Sequence, residues 1–345
     1  MTVQAHTIEA FVKLGQTFSD FVKHPEGIEH EGLKQVLLQA ERKNAWFTQK
    51  QLHQAIQEWG LLLTEEALKQ WVTPYGFKET KTPKTVAIVM AGNIPLVGFH
   101  DFLCVLLSGN KVLAKLSSND NVLLPYVRNC LCEFYPELRN HIAFTEERLA
   151  GFDAVIATGS NNTSRYFEHY FGKYPNIIRR NRNSIALLTG KESPEDLKAL
   201  GEDVFRYFGL GCRNVSKVFV PEGYDFDLFF KAMFEYQDNI HHHKYANNYD
   251  YNKAVYLMSD IALLDNGFLL LKEDTSHASP ISVLFYEFYA EKENLEQLLI
   301  KNKDAIQCVV TNLEIPEAIS FGQTQRPTLS DYADDVDTLA FLGSL

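Results

Sequence analysis

Apolar positions in the first 75 residues recur at intervals of three and four. "TIEAFVKLGQTFSDFV", "EGLKQVLLQAERK" and "TQKQLHQAIQEWGLLL" all carry that spacing, and few Gly or Pro interrupt them. Such a period gives a helix one apolar face, so a helical segment is expected. "TEEALKQWV" adds another helix, with Thr64 and Glu66 in a first turn that suits the positive end of a helix dipole. The pattern then changes to short, continuous apolar runs. "KTVAIVMAG" (84–92), "KVLAKLS" (111–117) and "FDAVIATGS" (152–160) read as buried strands. "FHDFLCVLLSGN", "NVLLPYVRNCLCEFY" and "NTSRYFEHYFGKY" read as the helices that follow them. Three such alternations predict a parallel sheet in a doubly wound domain.

A second alternation opens at "NSIALLTG" (183–190). "PEDLKALGEDVFRYFG" is expected as a helix, "SKVFVPEG" as a strand and "YDFDLFFKAMFEYQ" as a helix. "KAVYLMS", "PISVLFYEFY" and "IQCVVTN" are expected to continue the series as strands. "KYANNYDYNK" (244–253), rich in Asn and Tyr, reads as a hydrogen-bonded loop, with the lining of an acyl entrance as its functional alternative. The tail "FGQTQRPTLSDYADDVDTLAFL" is mixed and polar, more an arm than a core element. The expected fold is α/β: two doubly wound α/β domains, an N-terminal helical segment and a C-terminal arm. The expected divisions are 1–187, 188–315 and 316–345.

At 345 residues the chain has room for two cores, and 46% hydrophobic with 22% charged residues is ordinary for a globular protein. A net charge of −11 argues against nucleic acid as a partner. No window approaches a membrane span, and the N-terminus has neither a basic leader nor an apolar core, so a cytoplasmic location is expected. The five cysteines, Cys104, Cys130, Cys132, Cys212 and Cys308, show no framework spacing and read as reduced thiols. Cys130 and Cys132, two apart, would point different ways on a helix and make a poor metal pair. "HHH" (241–243) is the other candidate for a metal, but adjacent histidines in polar sequence are more often solvated, and no metal is expected.

Cys212 is the cysteine in a different setting. It follows Gly209 and Gly211 in "FGLGCRNVSK", where the backbone is permissive and polar groups are close. That setting suits a nucleophilic thiol, although an incidental cysteine is the commoner case. Asn93 in "AGNIP" stands at a strand end, where its amide could donate to an oxyanion; on residue preference alone the segment is a turn before Pro95. "KLSS" (115–118) and "TGS" (158–160) also fall at strand ends, where doubly wound sheets bind ligands. There is no G-x-G-x-x-G, so any dinucleotide would be held differently from the standard mode.

In order and register, these segments resemble the aldehyde dehydrogenase superfamily, and within it the long-chain acyl-CoA reductases of bacterial luminescence (LuxC-type). "VMAGNIP" stands at the place of the Trp-Asn-Phe-Pro step, which implies Asn93 as the oxyanion-hole amide. "GNKVLAKLSS" matches the strand whose lysine touches the adenosine ribose, implying Lys115 with Ser117 and Ser118 beside it. "ATGSNNTS" matches the Thr-Gly-Ser segment below the nicotinamide, implying Thr158, Gly159 and Ser160. "GLGC" matches Gly-Gln-x-Cys and implies Cys212 as nucleophile. By this resemblance 1–187 holds the dinucleotide and 188–315 carries the cysteine.

The departures bear on the reaction. The hydrolytic relatives have a Glu-Leu-Gly-Gly segment whose Glu activates water; "RRNRNSIALL" puts Arg179 there, and a guanidinium is no base. Arg179 and Arg182, with Arg180, are candidate substrate contacts that would meet a CoA phosphate or lower the thiol pKa, against a plain solvated basic loop. The ribose-binding Glu near a Phe-Gly-Pro step is replaced near Ser276, and the second Gly of the Thr-Gly-Ser turn by Ser164. The resemblance implies an acyl-CoA reductase that converts a fatty acyl thioester, on CoA or a carrier, to an aldehyde through a Cys212 thioester. NADPH is the expected reductant, with NADH as alternative, because Ser118 stands where NAD-specific relatives have a Glu. A homo-oligomer is expected from the family's habit. The alternatives are an acyl phosphate reductase and an acyl-transfer or acyl-holding protein without productive cofactor binding.

Overall fold

The computed structural model describes residues 3–77, 82–290 and 292–345, without side chains at 161, 292–294 and 296. It divides the chain into two units, Met1–Arg180 with Thr328–Leu345, and Asn181–Pro327. Among the described residues no helix is long and apolar enough to cross a membrane.

The first unit opens with α1 (Val3–Lys23), α2 (Glu31–Lys43), α3 (Gln49–Leu62) and α4 (Glu65–Val72). Thr48 and Thr64 start the last two, their hydroxyls accepting from the N–H groups of Gln51 and Ala67. The sheet comprises β1 (Thr85–Val89), β2 (Lys111–Lys115), β3 (Ile142–Phe144), β4 (Ala154–Thr158) and β5 (Asn176–Arg179). Its helices are α5 (Phe99–Leu107), α6 (Leu123–Phe134) and α7 (Asn161–Phe171). All neighbours are parallel, in the order β3-β2-β1-β4-β5. One face packs with α5, α6 and the N-terminal helices through Phe11, Leu14, Phe18, Val86, Ile88, Phe102 and Leu131. On the other, Ala87, Val155 and Ala157 meet Phe167 and Phe171 of α7. Strand order reverses between β1 and β4, so the ligand crevice of a doubly wound sheet falls at their carboxyl ends.

Two loops at that edge are fastened to each other. Gly92, after β1, lies so close to the β2 loop that an added Cβ would sit 2.5 Å from Ser117 Oγ. The buried Asn44, at the C-terminus of α2, donates through Nδ2 to the carbonyls of Gly92 (3.4 Å) and Asn119 (3.3 Å). Leu96 adopts a left-handed backbone (φ 57°), and its N–H donates to Asp120 Oδ2 at 3.0 Å. Asp120 lies among Met90, Phe99, Leu116 and Leu124. Burial raises its pKa to about 6, against the hydrogen bonds from the Leu96 and Leu123 N–H groups.

Residues 328–345, part of the segment expected as an arm, pack into this unit. Leu329, Leu339 and Leu342 are core residues, and α12 (Thr338–Ser344) lies against α5. Trp71 Nε1 donates to Tyr332 Oη at 2.9 Å, and His100 Nε2 bonds the Leu329 carbonyl at 2.8 Å. Arg179 is buried here, its guanidinium paired with Asp101 of α5 and donating to Thr338 Oγ1 at 3.1 Å.

The second unit contains β6 (Asn183–Leu187), α8 (Pro194–Phe205), β7 (Val215–Pro221) and α9 (Phe226–Met233). There follow α10 (His243–Met258), β8 (Leu264–Asp265), β9 (Leu270–Glu273), β10 (Val283–Tyr289), α11 (Lys292–Lys301) and β11 (Ile306–Val310). The sheet order is β11-β6-β7-β10-β9-β8, parallel except for the β8–β9 pair. A capping box between Ser193 and Asp196, with Pro194 in the first turn, starts α8. Two expectations are corrected here. "KYANNYDYNK" is not a loop and "KAVYLMS" not a strand: both belong to α10. Its buried face is Tyr245, Tyr249 and Asn252, whose polar ends reach the Phe268 carbonyl, Asp265 and the Ile281 carbonyl. A helix buried through polar-tipped residues has no apolar stripe to read.

Two stability predictions follow from the first unit, which holds all three tryptophans, Trp46, Trp59 and Trp71. Asp101→Ala leaves the Arg179 guanidinium buried without its counter-charge and should cost about 3–5 kcal/mol in urea unfolding followed by tryptophan fluorescence. A cost below about 1 kcal/mol would mean that the pair behaves as a solvated one. Asp120 has a raised folded-state pKa, so its contribution is complete below pH 3.8 and lost as pH rises through about 6. Relative to Asp120→Asn, the parent should therefore weaken between pH 4 and 7, by at most about 3 kcal/mol. Parallel stability curves for the two proteins would refute this.

Candidate functional site

In the first unit the structure brings together the side chains expected to hold a nucleotide, at the carboxyl ends of β1, β2 and β4. Asn93 is exposed in the turn between β1 and α5. Lys115 ends β2, its Nζ donating to the Glu147 carbonyl at 3.2 Å. Ser117 accepts from the Asn119 N–H at 3.2 Å, and Ser118 beside it is exposed. Thr158 ends β4 and, with Val89, Met90, Ala91 and Gly98, lines a shallow depression at the point where strand order reverses. Gly159 lies where an added Cβ would come within 2.9 Å of Phe167 and 3.1 Å of Thr163. Ser160 N-caps α7, its Oγ accepting from the Thr163 N–H at 3.3 Å.

This donor set fits a dinucleotide. Hydroxyls and one ammonium surround a strand edge at a switch point, and a helix N-terminus opens beside them. The carboxylate of Asp120 is engaged by the Leu96 and Leu123 N–H groups. Asp120 and Asn44, which hold these loops, were not singled out in the sequence. An Asp one step beyond "KLSSN" resembles any turn residue, and the contacts of Asn44 span 48 and 75 positions.

Cys212 belongs to the second unit, in the turn between α8 and β7. It is exposed, whereas Cys104, Cys130, Cys132 and Cys308 are buried. The backbone before it takes an unusual course. Tyr207 (φ 51°), Phe208 (φ 56°) and Gly209 (φ 77°) are consecutively left-handed, which costs about 1–2 kcal/mol at each of the two non-glycine positions. Both aromatic residues are buried, and the Phe208 ring lies 4.5 Å from that of His242, the N-cap of α10. The turn itself is held from several sides. Asn214 Oδ1 accepts from the Gly211 N–H (2.9 Å), and its Nδ2 donates to the carbonyls of Asp203 (3.1 Å) and Arg206 (2.7 Å). Ser184 Oγ donates to the Cys212 carbonyl at 3.1 Å. Arg213 Nε donates to the Thr324 carbonyl at 2.5 Å. Thr324 is fixed in turn by Asp203, whose carboxylate accepts from the N–H groups of Gly322 and Thr324 and from Thr324 Oγ1. Burial raises the pKa of Asp203 against those bonds.

The remaining candidates fall elsewhere. The guanidinium of Arg179, expected to meet a phosphate or act on a thiol, is buried and bonded to Asp101 and Thr338. Arg182 donates to the Ile306 carbonyl at 3.4 Å in the second unit. Arg180 is exposed and paired with Glu168. Ser276 donates its N–H to Asp274 Oδ1 at 2.8 Å. No group of three or more His, Cys, Asp or Glu suited to a metal occurs among the described residues.

The sequence model of the acyl-CoA reductase (LuxC) family matches residues 8–269, and no curated protein matches the chain. Solved aldehyde dehydrogenases share its fold. Aldehyde dehydrogenase 21 from Physcomitrella patens is 11% identical with a TM-score of 0.64, covering 90% of this chain and 74% of its own. An indole-3-acetaldehyde dehydrogenase with NAD+ is 10% identical with a TM-score of 0.61, covering 92% and 73%. An NAD-dependent benzaldehyde dehydrogenase from Corynebacterium glutamicum is 11% identical with a TM-score of 0.62, covering 90% and 76%. The matched span includes the loops after β1, β2 and β4 and the Cys212 turn, and the chain belongs to the acyl-CoA reductase (LuxC) family, with the fold of the aldehyde dehydrogenases.

Proposed function

We propose that the protein reduces a fatty acyl thioester, on CoA or a carrier, to the aldehyde through a thioester on Cys212. The observation that carries this is the exposure of Cys212 on a turn whose backbone is anchored at Gly211 and Cys212 and whose Arg213 side chain is held by the Thr324 carbonyl. The Cys212 sulfur forms a bond to the acyl carbon as the bond to the thiol of CoA breaks, and CoA leaves as a thiolate that takes up a proton. Lys115, Ser117, Ser118, Thr158, Gly159 and Ser160 would hold a reduced nicotinamide dinucleotide, whose chemistry when bound would be hydride donation to the acyl carbon. In this reading the Cys212 N–H stabilises the thiohemiacetal oxyanion, which collapses to aldehyde and free thiolate, and the Asn93 amide keeps its expected role as an oxyanion donor. With Arg179 in place of a carboxylate and engaged by Asp101, no base is assigned for hydrolysis, so exchange with another thiol is the favoured release in the absence of reductant. A homo-oligomer and a cytoplasmic location are parts of the proposal.

Incubation with labelled acyl-CoA, then with reduced dinucleotide, tests it. The expected outcome is one equivalent of label on the parent, none on Cys212→Ala, and release as aldehyde on adding reductant. Label that persists after reductant would favour an acyl-holding protein, and turnover of acyl phosphate but not acyl-CoA the phosphate alternative. An acylated, active Cys212→Ala would overturn the mechanism.

The cofactor proposal rests on Ser118 and Ser117 beside Lys115, two hydroxyls and an ammonium able to receive a 2′-phosphate. NADPH should bind more tightly than NADH, by on the order of tenfold. Ser118→Glu should reverse the order by introducing a repelling carboxylate. Fluorescence titration of both cofactors against both proteins decides it: equal affinities in the parent, or an unchanged order in the variant, contradict the assignment.

A further inference from the structure

The Cys212 turn is built in a way that ordinary loop packing does not require. Two non-glycine residues, Tyr207 and Phe208, are left-handed in succession, and Gly209 extends the run. Arg206 leaves the helix (φ −55°, ψ 138°), and the left-handed run that follows it gives the last carbonyls of α8 no helical partner. A single side chain answers this. The Asn214 amide, 2% exposed, donates to the carbonyls of Asp203 and Arg206, on the helix side of the left-handed run. Its oxygen accepts the N–H of Gly211 on the other side, one residue before Cys212. Both donors and the acceptor are therefore used, and the amide spans the turn that carries the cysteine. No other short side chain combines two donors and an acceptor in this shape.

We propose that Asn214 is a positioning residue for acyl transfer: its amide fixes the Gly211–Cys212 backbone so that the thiol and the Cys212 N–H meet the thioester carbonyl in one geometry. The proposal rests on Cys212 being the acyl acceptor. Opposite Asn214, the Thr324 carbonyl accepts from the Arg213 side chain and Thr324 is held by the Asp203 carboxylate, so the residues flanking Cys212 are anchored through different groups that both lead to Asp203. Loss of the amide would free one side of the turn while the other stays in place. The thiol would stay exposed but lose its alignment.

Alignment and exposure are read separately. Alkylation by iodoacetamide needs only an accessible thiol, whereas acyl transfer needs the fixed backbone. Asn214→Ala should acylate about 100-fold more slowly than the parent under single-turnover conditions, by the usual effect of misplacing a reacting group. Its alkylation rate should stay within about twofold, because that reaction makes no use of the aligned N–H. NADPH affinity should be unchanged. Asn214→Asp keeps the shape and replaces both amide donors with a carboxylate that repels the two carbonyls. Its acylation rate relative to the parent should recover as pH falls and the carboxyl regains a proton to donate. That ratio carries the test if Asn214→Ala does not fold. Acylation of either folded variant at the parent rate at neutral pH overturns the proposal, as does a parallel loss of acylation and alkylation, or a pH-independent ratio for Asn214→Asp. Acylation of Cys212→Ala would instead strike the nucleophile assignment, which keeps the two failures distinct.

Discussion

The left-handed run at Tyr207, Phe208 and Gly209 is the constraint around which the Cys212 turn of the second unit is arranged. An L-residue avoids that region because its Cβ approaches the following carbonyl, and two in succession persist only where neighbours overdetermine them. Here the neighbours are the Asn214 amide, the ring of His242 against Phe208, and the Asp203 carboxylate holding residues 322–324. Strain in the backbone and exposure of the Cys212 side chain belong together. The turn spends its hydrogen bonds on the main chain and leaves the sulfur facing outward. A cysteine in a regular helix or strand, as Cys104, Cys130, Cys132 and Cys308 are, has its backbone satisfied by the element and its thiol packed inside.

The first unit reaches a comparable end by another route. Parallel strands stop at a common edge, and the loops after β1 and β2 are locked by the absence of a side chain at Gly92 and by Asn44 and Asp120. Helices that precede the sheet in sequence thereby reach the carboxyl edge of its strands: α2 contributes Asn44 at its C-terminus. The C-terminal residues do similar work on the other side of α5, where Thr338 and Leu329 close over Arg179 and His100. A polar network buried under an edge of this kind keeps its loops in register while surface hydroxyls remain available to a ligand.

The alternation of strands and helices was legible because buried parallel strands are continuous apolar runs, as in "TVAIV" and "AVIAT", that period-two polarity does not interrupt. β5 escaped notice because it ends in Arg179, whose charge is cancelled by Asp101, 78 positions earlier. α10 was misread at both ends. Its buried residues are tyrosines and an asparagine, and its exposed end, with Val255, Leu257 and Met258, imitates a strand. The nucleotide-side candidates and Cys212 stand out in the sequence through motif order alone. The residues that hold them, Asp203, Asn214, Asp120 and Asn44, do not, since each looks like an ordinary turn or helix residue. Their function depends on contacts up to 121 positions away, and only folding brings those together.

The central claim is that one exposed, backbone-anchored thiol receives the acyl group. Peptide mapping by mass spectrometry of protein quenched in acid after brief exposure to acyl-CoA tests it most directly. The account predicts a single acyl adduct on the peptide containing Cys212, removed by hydroxylamine as a thioester is. An adduct on any other residue, or an acid-stable product without a thioester, would contradict it.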